Sequence, residues 1–196
     1  MNATTTAIDP RRVAELLAAP FEAVAIHWKP AVVSGNRAMA LPYLDARAVQ
    51  DRLDSVVGVE GWQDHYEVLP DGSAVCSLRV RIGADWICKV DVGAPSEQPD
   101  EGDRRKAAFS DALKRAAVKF GIGRYLYRLP RQWADYDPHK RQFVRVPALP
   151  PSALPKPKPR PQAPAEAEPG HNGTPNRDAT PKPVAPLRRV SADCPA

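Results

Sequence analysis

The sequence predicts an α+β domain, an antiparallel β-meander packed on a long amphipathic helix, followed by a disordered Pro-rich C-terminal tail. Three observations carry that prediction. Between Gln63 and Val92 apolar and polar residues alternate with a period of two, and between Arg104 and Phe120 the period becomes helical. Fourteen of the twenty-three prolines fall from Pro147 onward, against nine in the first 146 residues. The chain of 196 residues is long enough for one domain with a core and an appendage. We therefore expect a domain over residues 1–146 and a tail over 147–196.

Pro10 to Leu17 reads as a short helix and Tyr43 to Val57 as a second, with Leu44, Ala48, Val49, Leu53 and Val56 at helical spacing. Gly58 follows, which suits a helix stopped by a left-handed glycine. The meander then runs through His65–Leu69, a Pro-Asp-Gly turn, Ala74–Ile82 and Trp86–Val92. In its middle strand Cys76, Leu78, Val80 and Ile82 form one face and Ser77, Arg79 and Arg81 the other, so one side looks to the core. A polar, acidic loop from Ala94 to Asp103 leads into the long helix, Arg104 to Phe120. There Phe109, Ala112, Leu113, Ala116, Ala117 and Phe120 make one apolar stripe. From residue 147 onward the chain has no aromatic residue and few branched aliphatic ones, so it cannot bury enough surface to offset chain entropy.

Charge is distributed unevenly inside the domain. From Met1 to Asp103 there are nine Lys or Arg against sixteen Asp or Glu; from Arg104 to Arg145 there are twelve against three. The balance thus swings from −7 to +9. On the polar face of the long helix Arg115 and Lys119 stack one turn apart, Lys114 lies alongside, and Asp111 sits one turn earlier, where it can pair with either. Arg104, Arg105 and Lys106 add charge at the start of the same helix. A ridge of this kind is also what a solvated amphipathic helix presents. The segment Arg124-Tyr125-Leu126-Tyr127-Arg128-Leu129-Pro130-Arg131-Gln132-Trp133 shifts the balance, because it interleaves arginines with aromatics. Basic groups bind phosphates and aromatic faces stack on unpaired bases, although each aromatic taken singly is an ordinary core residue. The expected partner is single-stranded DNA.

Other chemistries have little support. Gly121-Ile122-Gly123 is no nucleotide-binding fingerprint, and no Gly-rich loop ending in Gly-Lys-Ser/Thr is present, so neither ATP nor any other cofactor is expected. Cys76, Cys88 and Cys194 form no C-x-x-C and no close pairing with histidine, so no metal site and no catalytic centre is expected. Asp71, Asp85, Asp91 and Glu97 lie on or near strands and keep a metal-dependent nuclease as a rival, but no lysine of the domain has a carboxylate two residues before it. A second rival is an architectural module whose basic face takes duplex nucleic acid or an acidic protein. The start MNATTTAIDPRR lacks an apolar core of signal-peptide length and no window approaches eighteen apolar residues, so no membrane partner is expected and the protein is placed in the cytoplasm, on the nucleoid.

Read in order, several short motifs resemble the Rad52/22 family of single-strand annealing proteins. They are Tyr43-Leu44-Asp45, Gly58-x-x-Gly61-Trp62, Arg79-Val80-Arg81, Asp91-Val92-Gly93, and Asp111-Ala112-Leu113-Lys114-Arg115-Ala116 with Phe120-Gly121. They span roughly residues 25 to 133, and their order and spacing carry the resemblance more than any one of them. It implies an antiparallel sheet packed on a long helix, assembly into a homo-oligomeric ring or arc, and DNA held in a cationic groove without ATP. The family's Lys-Arg pair in that groove matches Lys114 and Arg115, and its early-strand arginine corresponds to Lys29. A further family arginine falls on Val118, and Lys119, next to it, is rotated by about 100° around the helix. With Arg104, Arg105, Lys106, Arg124 and Arg128 these residues complete the expected DNA-binding set. The tail, with seven basic and four acidic residues, is expected to add non-specific affinity or to recruit a recombination or replication protein.

Overall fold

In the computed structural model, which describes residues 9–156, three helices and seven strands follow one another in an order that interrupts the strands twice. The first helix, α1 (Pro10–Ala18), begins at Asp9, whose carboxylate accepts the Arg11 N–H at 3.0 Å, with proline in its first turn. Strands β1 (His27–Ser34) and β2 (Arg37–Tyr43) form a hairpin. Helix α2 (Ala46–Val57) leads to the meander β3 (Trp62–Val68), β4 (Ala74–Ile82) and β5 (Asp85–Gly93), all antiparallel. Helix α3 (Glu101–Val118) follows, and then β6 (Gln132–Asp137) and β7 (Gln142–Phe143). The strands make two sheets, one in the order β1-β2-β6-β7 and one in the order β3-β4-β5.

The core lies between the three-stranded sheet and the helices. Cys76, Leu78 and Val80 on the inner face of β4 are fully buried, together with Leu17 of α1, Leu53 of α2 and the Ala112, Ala116 and Ala117 stripe of α3. Small residues on α3 let the helix lie close against β4 and β5. The closest approach is at Gly93, where a β-carbon would stand 2.3 Å from both the Ala108 carbonyl oxygen and the Ala112 nitrogen. Phe109 stacks on Tyr66 with ring centroids 4.5 Å apart, and both rings are partly buried against the same core. Burial of Cys76 beside Tyr66 pushes its thiol up to about 11. Arg52 ties α2 to the end of α1. Its guanidinium donates to the carbonyls of Leu16, Leu17, Ala19 and Pro20 and lies 3.9 Å from the centroid of the Phe21 ring.

The meander and the long helix stand where periodicity puts them, but several boundaries differ. The second helix starts at Ala46, not Tyr43, because the Asp45 carboxylate accepts the Ala48 N–H at 2.7 Å and so caps it. Tyr43 instead ends β2, paired with His27. The long helix starts at Glu101, not Arg104, because Asp100 caps it through the Asp103 N–H and Glu101 and Asp103 favour its positive end. Gly58 has φ of 78° but ψ of 160°, a glycine-only extended conformation and not the left-handed helical one. The β1-β2-β6-β7 sheet has no counterpart among the periodic segments; of its residues only Lys29, on β1, is expected on a strand, through the family resemblance. The disorder expected of the tail concerns residues that lie outside those described, beyond 156. Within them, Leu149 packs against the core and Ala153, in the short turn Pro151–Ala153, is buried. Among the described residues no helix is long and apolar enough to cross a membrane.

Candidate nucleic-acid interface

A groove of about 130 Å³ opens between the C-terminal half of α3, the end of β2 and the turn after α3. Lys29 enters it from β1, Tyr43 from β2, Asp111, Lys114, Arg115 and Val118 from α3, and Leu126 and Tyr127 from the turn after it. Tyr43 lies at its centre. The ammonium groups of Lys29 and Lys114 each lie 5.8 Å from the centroid of the Tyr43 ring. Cations are attracted to an aromatic face, so one ring collects two like charges that otherwise repel. Among the described residues neither lysine forms an ion pair. Burial holds the Lys114 ammonium below its ordinary pKa; Asp111 and Asp45 work against this, and the charge of Lys29 adds to it. An anion between the two lysines relieves that repulsion.

Arg115 is handled differently. Its Nε donates to Asp91 Oδ1 at 3.1 Å, while the Lys119 ammonium sits 3.0 Å from Asp91 Oδ2 and donates to the Val90 carbonyl. Lys119 is therefore drawn to β5 and is absent from the groove lining, where Val118 supplies an apolar wall in place of a charge. Asp111 lines the groove without an ion pair among the described residues, so the partner of Arg115 is Asp91 and not Asp111.

The remaining expected residues are not gathered here. Arg104 donates to the Gln98 and Pro99 carbonyls, Arg105 pairs with Glu101, and Lys106 pairs with Asp103 at 3.1 Å. The ten helical steps from Arg105 to Arg115 span about 15 Å along the helix. Arg124 donates to the Val118 and Lys119 carbonyls at 2.8 and 2.7 Å, closing the end of α3. Arg128 is exposed at the end of the turn Arg124–Arg128.

Of the interleaved aromatics, Tyr125 is structural, its hydroxyl accepting the Phe21 N–H at 3.0 Å. Tyr127 lines the groove and is 74% exposed. Trp133 lies on β6, partly exposed. The central role of Tyr43 escapes sequence reasoning because it reads as the first residue of α2, although Asp45, three residues before Ala48, is a capping signal that excludes it from the helix. The acidic residues weighed as metal ligands are dispersed: Asp71 accepts the Ser73 N–H in the β3–β4 turn, and Asp91 is held by two cations. Among the described residues no three His, Cys, Asp or Glu side chains gather as a metal site.

Fold and groove together define a class: an α+β domain that frames a cationic, aromatic-centred channel between its long helix and an antiparallel hairpin. Residues 9–143 match the family model described as Rad52/22 family double-strand break repair protein, and the chain belongs to that family. It is also 46% identical over 147 residues to two proteins named single-stranded DNA-binding protein DdrA. One is from Deinococcus deserti and the other from Deinococcus radiodurans; the match covers 73% of this chain and 70% and 68% of those proteins, respectively.

Proposed function

We propose that this protein binds single-stranded DNA along the Lys29–Tyr43–Lys114–Arg115 groove and anneals complementary strands in homologous recombination and double-strand-break repair. The observation that carries this reading is the convergence on one tyrosine ring of two ammonium groups that form no ion pair among the described residues, with an arginine beside them. Such a site takes a phosphate between its cations, and the exposed Tyr127 offers a face to an unpaired base. Family membership and the names of the Deinococcus relatives support the same substrate.

Annealing breaks and forms no covalent bond. The barrier lies in removing secondary structure and bringing like-charged strands together, and a surface that neutralises phosphates while leaving bases accessible lowers both parts. No nucleotide is consumed and the protein is not an enzyme. A strand longer than one groove needs several in line, which suits a homo-oligomeric ring or arc in the cytoplasm, on the nucleoid, with the tail recruiting a recombination or replication protein.

The test is annealing of complementary oligonucleotides without nucleotide or metal, alongside affinities for single strand, duplex and an acidic peptide. Faster annealing and a preference for single strand are expected. A strict ATP requirement, strand cleavage with magnesium, or a preference for duplex overturns the reading.

A further inference from the structure

Asp91 places a carboxylate beside a surface that has to hold phosphates, where simple electrostatics disfavours it. It stands on β5 opposite Cys76, two residues before Gly93, where strand and helix backbones touch. At that level α3 cannot shift relative to β5, so the carboxylate meets Arg115 and Lys119, one turn apart on the helix, in fixed register. Its Oδ1 accepts the Val92 N–H at 2.8 Å and Arg115 Nε at 3.1 Å, and its Oδ2 faces the Lys119 ammonium at 3.0 Å. The Asp91 side chain is only 18% exposed, whereas that of Arg115 is 51% exposed. Burial works to raise the carboxyl's pKa, but the Val92 N–H, Lys119 and Arg115 together hold it below the usual range.

A guanidinium carries five N–H donors in a rigid fork. Asp91 engages one of them, at Nε, and among the described residues Nη1 and Nη2 of Arg115 have no protein partner. Those two nitrogens form an edge that pairs with the oxygens of a phosphate. Arg115 lines the groove, so gripping it from behind by Nε sets that edge toward a bound strand. Lys119 neutralises the second carboxylate oxygen, which limits the repulsion the strand meets.

We propose that Asp91 is a positioning residue for single-stranded DNA, orienting the Arg115 fork through Nε while Lys119 neutralises its remaining charge. This rests on the groove being the strand site. It leads to an expectation opposite to bulk charge. Deleting an acid from a cationic surface ordinarily raises affinity for a polyanion and steepens its salt dependence. Here Asp91→Ala is expected to weaken binding.

The experiment measures the affinity of the full-length protein for a fluorescein-labelled oligothymidine across a salt series. Asp91→Ala is expected to lose about tenfold in affinity, the scale of one charge-assisted contact. The slope of log affinity against log salt should become shallower by about 0.7, one phosphate contact. Asp91→Asn has the same shape without the charge and carries the test if the alanine variant fails to fold by circular dichroism; a smaller loss in the same direction is expected. In an Arg115→Ala background, Asp91→Asn should have no further effect. Binding by the foldable Asp91 variant that equals or exceeds wild type overturns the inference, and so does an additive loss in the Arg115→Ala background. Lys114→Ala with Arg115→Ala distinguishes the two levels: wild-type binding by that variant overturns the groove reading itself, whereas its loss beside an unaffected Asp91 variant overturns only the role of Asp91.

Discussion

The two ends of α3 carry comparable positive charge and put it to different use. At the N-terminal end Arg105 and Lys106 are paired with Glu101 and Asp103 one turn away, and Arg104 is bound to loop carbonyls. Toward the C-terminal end Lys114 has no ion pair among the described residues and shares the Tyr43 ring with Lys29 from another strand. On the proposed reading, the difference teaches that a basic residue becomes a binding residue through what it lacks nearby. Neighbours three or four positions away neutralise a cation locally, whereas partners from distant elements can hold it open for a ligand.

Removing the open end is the largest test of that contrast. Replacing Lys114 and Arg115 together by alanine is expected to leave the circular-dichroism spectrum unchanged. With charge-assisted contacts of about 1.5–3 kcal/mol each, single-strand affinity should fall by at least about a hundredfold, measured by fluorescence anisotropy. A wild-type affinity would mean that the two ends are equivalent.

Next in size is the response to pH. Because burial lowers the Lys114 pKa, its charge is lost, as pH rises, before that of exposed lysines. Affinity should therefore begin to fall on the alkaline side ahead of general lysine titration. Lys114→Arg, whose guanidinium stays charged, should flatten the fall. The same shift has the opposite sign for stability. The folded state binds this proton less tightly than the unfolded chain, so the penalty is full at neutral pH and fades as pH rises through the lowered pKa.

A smaller effect is expected from restoring charge to the apolar wall. Val118→Arg adds one cation to the groove, and the salt slope should steepen by about 0.7. The smallest concerns the paired end. Arg105→Ala with Lys106→Ala should change affinity by less than about twofold, the scale of exposed ion pairs. Glu101→Gln with Asp103→Asn should raise affinity slightly by freeing both cations, and should lower the melting temperature because acids in the first helical turn stabilise it by about 0.3–1 kcal/mol each.

The parts of the fold that were legible are those whose periodicity survives burial on one side only. Strand β4 alternates because Cys76, Leu78 and Val80 face the core while Arg79 and Arg81 face water, and α3 reads as a helix because its alanine stripe is continuous. Strands β1 and β2 were hidden: Pro30 and Pro42 interrupt them, β1 has no buried residue, and Val32 and Val33 are both about half exposed. Within the site, Lys114 and Arg115 stood out as neighbours on a polar face. The diversion of Lys119 did not, because Asp91, its partner, lies 28 positions earlier and meets it only once β5 packs on α3. The partial burial of Tyr125 and the exposure of Tyr127 were equally hidden, since two aromatics two residues apart look alike until the turn Arg124–Arg128 gives them different surroundings.

The groove joins Lys29 and Lys114, 85 positions apart, on a ring that belongs to neither of their elements. It therefore exists only when hairpin and helix are both in place, and an unfolded chain offers a strand nothing equivalent. Binding and folding are then thermodynamically linked: at a hundredfold excess over Kd, a ligand specific to the native state adds about 2.7 kcal/mol to stability. Exposed single strand would thus act on this protein as a stabilising co-solute, and the native population would be best protected from heat or proteolysis when damaged DNA is abundant.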